Sequence, residues 1–104
     1  MGDILSGAYY VGQIRVKDVV AWREYLGQVA VTVHQYGGEI LFRGANGQMM
    51  AGHQFAATIP LEQVVALQFA NEADAKRWHD SPEYQRLIPI RDRGADVILI
   101  LYTG

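Results

Sequence analysis

Val64-Val65-Ala66-Leu67-Gln68-Phe69, then Asn71-Glu72-Ala73-Asp74-Ala75-Lys76-Arg77-Trp78-His79-Asp80, then Ser81-Pro82-Glu83-Tyr84: this stretch, carried on to Arg91, decides the fold. The opening run is apolar and rich in β-branched residues, as a strand buried on both faces requires. Asn71 stands where a helix N-cap belongs, its side-chain oxygen able to accept an otherwise unpaired amide, and Glu72 and Asp74 complement the positive first turn. The start signal then repeats. Ser81 is a second cap, and Pro82 occupies the first helical position, where a missing amide hydrogen costs nothing. A strand followed by a broken helix is therefore predicted. From Ser81 onward Tyr84, Leu87, Ile88 and Arg91 follow i, i+3, i+4, i+7 spacing, so the guanidinium of Arg91 projects from the face that otherwise seeks the core.

Working outward, residues 96–102 (Asp96-Val97-Ile98-Leu99-Ile100-Leu101-Tyr102) form the last strand, and residues 8–16 (Ala8-Tyr9-Tyr10-Val11-Gly12-Gln13-Ile14-Arg15-Val16) the first. Asp18 caps a long helix whose Trp22, Tyr25, Leu26, Val29, Val33 and Tyr36 share one stripe. Gly37-Gly38 ends it by supplying a left-handed conformation that a side chain resists. Residues 39–43 are the second strand. Asn46-Gly47 is a pair suited to a tight hairpin turn, so residues 48–51 are expected to return as a short strand, with 52–60 a connecting loop. The order β-α-β-β-α-β, with right-handed crossovers, predicts an α+β fold: one domain over residues 1–104, a ferredoxin-like antiparallel sheet with both helices on one face.

The last strand carries Val97, Leu99 and Leu101 on one side and Ile98, Ile100 and Tyr102 on the other. A sheet with one wet face should alternate instead. The last strand is also an edge in this topology, and an apolar edge invites another chain. A second copy packed sheet to sheet, a homodimeric α+β barrel with its helices outside, is the expectation. On the far side of the long helix, Val20, Gly27 and Val31 suggest a further subunit contact.

The chain has 104 residues, half of them apolar, enough for a modest core without staples. No cysteine is present, which removes disulfides and thiolate chemistry and suits a reducing cytoplasm. With a formal charge of -2 and no basic run, nucleic acid and anionic membranes are not expected partners. Residues 1–5 lack a basic and apolar leader, and no apolar run approaches a membrane span.

Tyr36-Gly37-Gly38 before an extended segment ending in Arg43-Gly44, a strand closing on Phe69, and Ser81-Pro82-Glu83-Tyr84-Gln85 with Arg91 downstream together resemble domain-of-unknown-function family 1330 of the dimeric α+β barrel superfamily. The likeness covers nearly the whole chain. It implies the same fold and dimer, and a family whose activity is not established. The wider superfamily includes cofactor-independent monooxygenases and muconolactone-isomerase-like enzymes, so any enzymatic activity is implied by that analogy alone. Where members of the family often carry an acidic residue before the next glycine, this chain has Ala51-Gly52.

Arg43 and Arg91 are the candidate ligand-binding residues, able to clamp a carboxylate between helix and sheet. The structural alternative is a partly buried arginine paired with Glu39, Asp92 or Asp96, or bonding exposed carbonyls near Pro89. Tyr84 is a candidate hydrogen-bond donor to ligand, and His79 a candidate for moving a proton. Tyr9, Tyr10, Gln13 and Gln68 are candidates to line the barrel interior, with ordinary core and interface packing, the glutamines satisfied across the dimer axis, as the favoured alternative. The histidines, His34, His53 and His79, lack metal-ligand spacing, and no phosphate loop or nucleophile elbow occurs, so no cofactor or metal is expected. Two readings follow. One is a dimer that binds or converts a small anionic or partly apolar metabolite between the second helix and the sheet. The other is a non-catalytic dimerisation or regulatory module.

Overall fold

The computed structural model describes residues 7–104, so the reading of residues 1–5 as leaderless lies outside the described residues. Four strands, β1 (Ala8–Val16), β2 (Glu39–Ala45), β3 (Gln63–Phe69) and β4 (Ala95–Thr103), form one antiparallel sheet in the order β2-β3-β1-β4. This is the ferredoxin-like arrangement expected, with β2 and β4 at the edges. The helical layer comprises α1 (Val19–Gln35), α2 (Glu72–Asp80), α3 (Pro82–Gln85) and α4 (Ile88–Gly94).

The helix boundaries obey their caps. Asp18 Oδ1 accepts from the amides of Val20 (3.0 Å) and Ala21 (3.2 Å), Asn71 Oδ1 from Asp74 (2.8 Å), and Ser81 Oγ from Tyr84 (3.1 Å). Past α1, Gly37 takes a φ of 80°, and Gly38 packs so closely on the Phe69 ring that a Cβ there would lie 2.6 Å from it. The broken helix breaks twice: a turn at residues 86–87 separates α3 from α4, and Pro89 falls in the first turn of α4, where its missing N–H is harmless.

One expected element is absent. Residues 48–51 form no strand: the outer edge of β2 stays unpaired among the described residues, and the chain from Asn46 runs irregularly through a 3₁₀ turn at His53–Phe55. Asn46 does take the positive φ (58°) expected of it, but the Gly47 amide bonds Glu62 O (3.4 Å), so the turn leads into a long connection rather than a hairpin. β2 runs two residues beyond the predicted end and carries a bulge between Ile40 and Phe42.

The register assigns each side chain a face. Tyr10, Ile14, Leu67 and Phe69 point into the core against Trp22, Tyr25, Val29 and Val33 of α1 and Trp78, Tyr84 and Leu87 of the broken helix. On the opposite face, Phe42, Ala66, Val11 and Ile100 make an apolar row across all four strands. Phe42 is 54% exposed and Ile100 45%, with Ile98 and Tyr102 exposed beside them. On α1, Val20 and Val31 are exposed as anticipated.

Candidate functional site

Between the helices and the sheet lies a cavity of ≈ 110 Å³, open at one side and lined mostly by apolar groups. Its origin is a glycine. Arg43, Val65, Gly12 and Leu99 stand in one row on the inner face of the sheet, and the missing side chain at Gly12 leaves the floor low where its neighbours would otherwise fill it. A Cβ at Gly12 would meet Val65 Cγ1 at 3.0 Å. The roof is aromatic. Trp22 and Tyr25 are stacked with ring centroids 5.0 Å apart, Tyr84 meets Tyr25 edge to face at 6.4 Å, and Trp78 lies 4.2 Å from Tyr84.

The polar groups on this wall form a chain. The hydroxyls of Tyr25 and Tyr84 share a hydrogen bond of 3.0 Å, Arg91 Nη1 donates to the Tyr84 hydroxyl (3.1 Å), and Arg91 Nε donates to Asp92 Oδ1 (2.9 Å). Burial, then the neighbouring Tyr84 oxygen, pushes the Tyr25 phenol far above its ordinary value, so it stays protonated at every physiological pH. Burial by itself would lower the pKa of Arg91. The bond to Asp92 and the contact with Tyr84 outweigh it, leaving the pKa raised and the charge fixed. The indole Nε1 of Trp22 is buried, and no acceptor meets it among the described residues. Trp78, by contrast, donates to Thr32 Oγ1 at 3.0 Å.

The four predicted site residues are distributed unequally around this space. Tyr84 and Arg43 both line the cavity; Arg43 lies at its exposed side, with no ion-pair partner among the described residues. Arg91 does not line it and reaches it only through the Tyr84 hydroxyl, so the two arginines do not converge on one point. Of the carboxylates offered as structural partners, Asp92 is the one Arg91 takes, while Asp96 pairs with Arg15 (2.8 Å) and Lys17 (3.5 Å). His79 stands outside the lining. Its ring lies 5.5 Å from that of Tyr84 and 6.3 Å from that of Tyr10, and its Nδ1 is 3.5 Å from Asp80 Oδ1.

His34 and His53 are exposed. Tyr9, Gln13 and Gln68 do occupy the outer sheet face, where Gln68 Nε2 lies 3.4 Å from the Tyr9 hydroxyl. Tyr10 does not: it points to the helices and donates to the Ala75 carbonyl at 2.9 Å. Sequence reasoning missed Gly12, Tyr25 and the unpaired indole of Trp22 as parts of a site. A lone glycine inside a strand pattern was the one signal available, since such positions mark close approach of another group.

The fold has solved relatives. A protein of unknown function from Rhodopseudomonas palustris superposes with a TM-score of 0.77 at 16% identity, over 99% of this chain and 85% of that one. SnoaB, a cofactor-independent oxygenase from Streptomyces nogalater, superposes with a TM-score of 0.67 at 9% identity, over 95% and 93% of the two chains. A dimeric ferredoxin-like protein of unknown function from Jannaschia sp. CCS1 gives 0.65 at 8%, over 94% and 99%. At these identities the likeness is one of fold. No curated protein matches the sequence. Residues 7–104 match the family described as domain of unknown function DUF1330.

Proposed function

We propose that this chain, which belongs to the DUF1330 family, is a homodimer that binds, and in one version of the reading converts, a small, partly apolar, anionic metabolite in the cavity between its helices and its sheet. The observation that carries this is the cavity itself: an apolar space with a guanidinium at its open side that no carboxylate of the described residues neutralises. Concave apolar sites with a few convergent polar groups are the usual form of a small-ligand site. Its volume is of the order of the ~150 Å³ void that admits a benzene ring, so the occupant is about one ring in size. In this reading Arg43 holds the ligand's negative charge, Tyr84 donates a hydrogen bond, and Arg91 fixes the Tyr84 hydroxyl from behind. His79 serves as a proton acceptor after a rotation that brings it past the Tyr84 ring.

The dimer rests on the outer sheet face. At the two ends of the apolar row Phe42 and Ile100 are exposed among the described residues, and burial is worth roughly 1.5 to 3 kcal/mol for each large aliphatic or aromatic side chain. Solved neighbours from Jannaschia and Bacteroides fragilis are described as dimeric. Sedimentation at micromolar concentration is expected to give a dimer for the native chain and a protomer for Ile100→Lys; a native chain that sediments as a lone protomer ends this part of the reading.

The ligand is tested by a thermal-shift screen of single-ring carboxylates, benzoate first. Stabilisation by a hit is expected to vanish in Arg43→Ala and to weaken in Arg91→Ala while both remain dimeric, and binding unchanged in both variants removes these residues from the site. The engagement of Arg91 by Tyr84 and Asp92 favours the second reading, a dimerisation module with no small-molecule chemistry. A dimer that no compound stabilises is its signature.

A further inference from the structure

Gly12 sits in the middle of β1, paired with Val65 on one side and Leu99 on the other, at an inward position between Tyr10 and Ile14. No backbone demand accounts for it. The glycines at positive φ among the described residues are Gly37 and Gly52, and an extended glycine inside a strand loses backbone entropy and a side chain's burial without conformational return. Close packing accounts for other glycines: a Cβ at Gly38 would lie 2.6 Å from the Phe69 ring, and one at Gly94 would lie 2.7 Å from the Trp22 amide nitrogen. At Gly12 the added atom would meet Val65 Cγ1 at 3.0 Å and Leu99 Cδ1 at 3.5 Å, both within the sheet. Among the described residues no atom of the helical layer comes that close, so the space above Gly12 is open to the cavity.

The neighbours of Gly12 show what the missing side chain leaves. One pair along the inner face, Tyr10 and Leu67 are buried under the helices, whereas Val65 and Leu99, which face inward beside Gly12, stay only partly buried. Accessible apolar surface therefore flanks the hollow on both sides. Arg43 stands next to Val65 in the same row, two strands from Gly12, a separation of roughly 9–10 Å at 4.7–4.9 Å per strand spacing. It is the one charged residue in the lining. A positive end and an apolar seat thus lie at the two ends of one short row, a span that the arginine side chain and a single ring share.

Resting on the small-ligand reading above and deepening it, we infer that Gly12 is the specificity-determining residue of the cavity: the site takes a carboxylate of one ring, its acid toward Arg43 and its ring seated over Gly12 between Val65 and Leu99, and excludes acids of two fused rings. Recognition is by charge at one end and by volume at the other. An apolar hollow of ≈ 110 Å³ favours an apolar group that fills it, while close-packed walls leave no slack for a larger one. A single methyl added at Gly12 occupies the seat.

The test is calorimetric titration of the native chain and two variants with isobutyrate, benzoate and 2-naphthoate. The native chain is expected to bind benzoate at least about tenfold more tightly than either of the other acids. Gly12→Ala is expected to weaken benzoate about tenfold or more while leaving isobutyrate nearly unchanged, and Val65→Ala, which widens the same seat from the next strand, to strengthen 2-naphthoate about tenfold. Val65→Ala keeps the test decisive should Gly12→Ala fail to fold. A native chain that binds 2-naphthoate as tightly as benzoate, or folded variants that keep the native order of the three acids, overturns the role of Gly12 and leaves the ligand reading standing. Failure of all three acids to bind the native chain overturns both.

Discussion

Trp78 and Trp22 are buried in the same core to nearly the same degree, 1% and 5% exposed, yet they belong to regions built on opposite terms. Around Trp78 everything is matched. Its indole donates to Thr32, whose hydroxyl donates on to the Val29 carbonyl (2.7 Å); its own carbonyl accepts from Ser81 Oγ (2.7 Å); and Tyr84, Tyr10 and Phe69 pack on its ring at centroid distances of 4.2, 5.2 and 5.6 Å. Trp22 borders the same cavity that Trp78 does, but its indole hydrogen goes unanswered among the described residues. A polar group left without a partner inside a protein costs about 1–3 kcal/mol, so the Trp22 end carries a local penalty that the Trp78 end does not. The lesson is that similar burial can accompany a complete hydrogen-bond inventory at one position and a gap in it at another.

That contrast can be broken by mutation. The largest effect is expected from Trp78→Ala, at about 3–5 kcal/mol in chemical denaturation, because the ring is 1% exposed and its bond to Thr32 is lost as well. Trp22→Ala is expected to cost less, since its indole has no hydrogen bond to lose among the described residues. Equal losses in the two would erase the distinction. Phenylalanine sharpens it. Trp78→Phe strands the hydrogen-bonding partner at Thr32 and is expected to cost about 1–3 kcal/mol, while Trp22→Phe removes a donor that has nothing to bond and is expected to leave the denaturation midpoint nearly where it was.

Ser81→Ala should come next, near 1 kcal/mol, because Ser81 both caps α3 and ties back to the Trp78 carbonyl. The mildest probe is pH. Burial, then Asp80 and Tyr84, pushes the Tyr10 phenol from 10.0 up to about 12. The unfolded chain therefore gives up this proton first as pH rises, so the stabilisation is complete below about pH 10 and is lost as pH climbs through about 12. Urea midpoints measured from pH 9 upward should fall in that window, and Tyr10→Phe should flatten part of the decline; a native chain with no loss there contradicts the placement of Tyr10.

Much of the fold was legible because its signals are local. Asp18, Asn71 and Ser81 cap the helices they were expected to cap, and Gly37 takes the left-handed turn that ends α1. The absence of polar alternation in β4 announced a sheet with two apolar faces, and both faces exist. The failure at residues 48–51 has an equally physical cause. A turn pair and a short, mostly apolar run suit a hairpin, but the Gly47 amide bonds the Glu62 carbonyl, which carries the chain away toward the start of β3 instead of back along the free edge of β2. The site was legible only in part. Arg91 stood out because it interrupts an apolar stripe at seven residues from Tyr84, and those two side chains do meet. That Arg43 would line the cavity while Arg91 stands behind it is a matter of register across β2 and the turn between α3 and α4, which no spacing along the chain encodes.

By itself the chain determined the order of strands and helices, where the helices begin and stop, and the placing of its tyrosines, tryptophans and arginines along each element. Those follow from caps, periodicity and glycine, which act over a few residues. Only the tertiary structure decided that Gly12 should lie opposite Trp22, Tyr25 and Tyr84 and leave a hollow there, and that the Trp22 indole should be left without an acceptor among the described residues. A void is the mismatch between surfaces from distant parts of the chain, and an unpaired donor is defined by what fails to reach it, so neither exists until the helices have packed on the sheet.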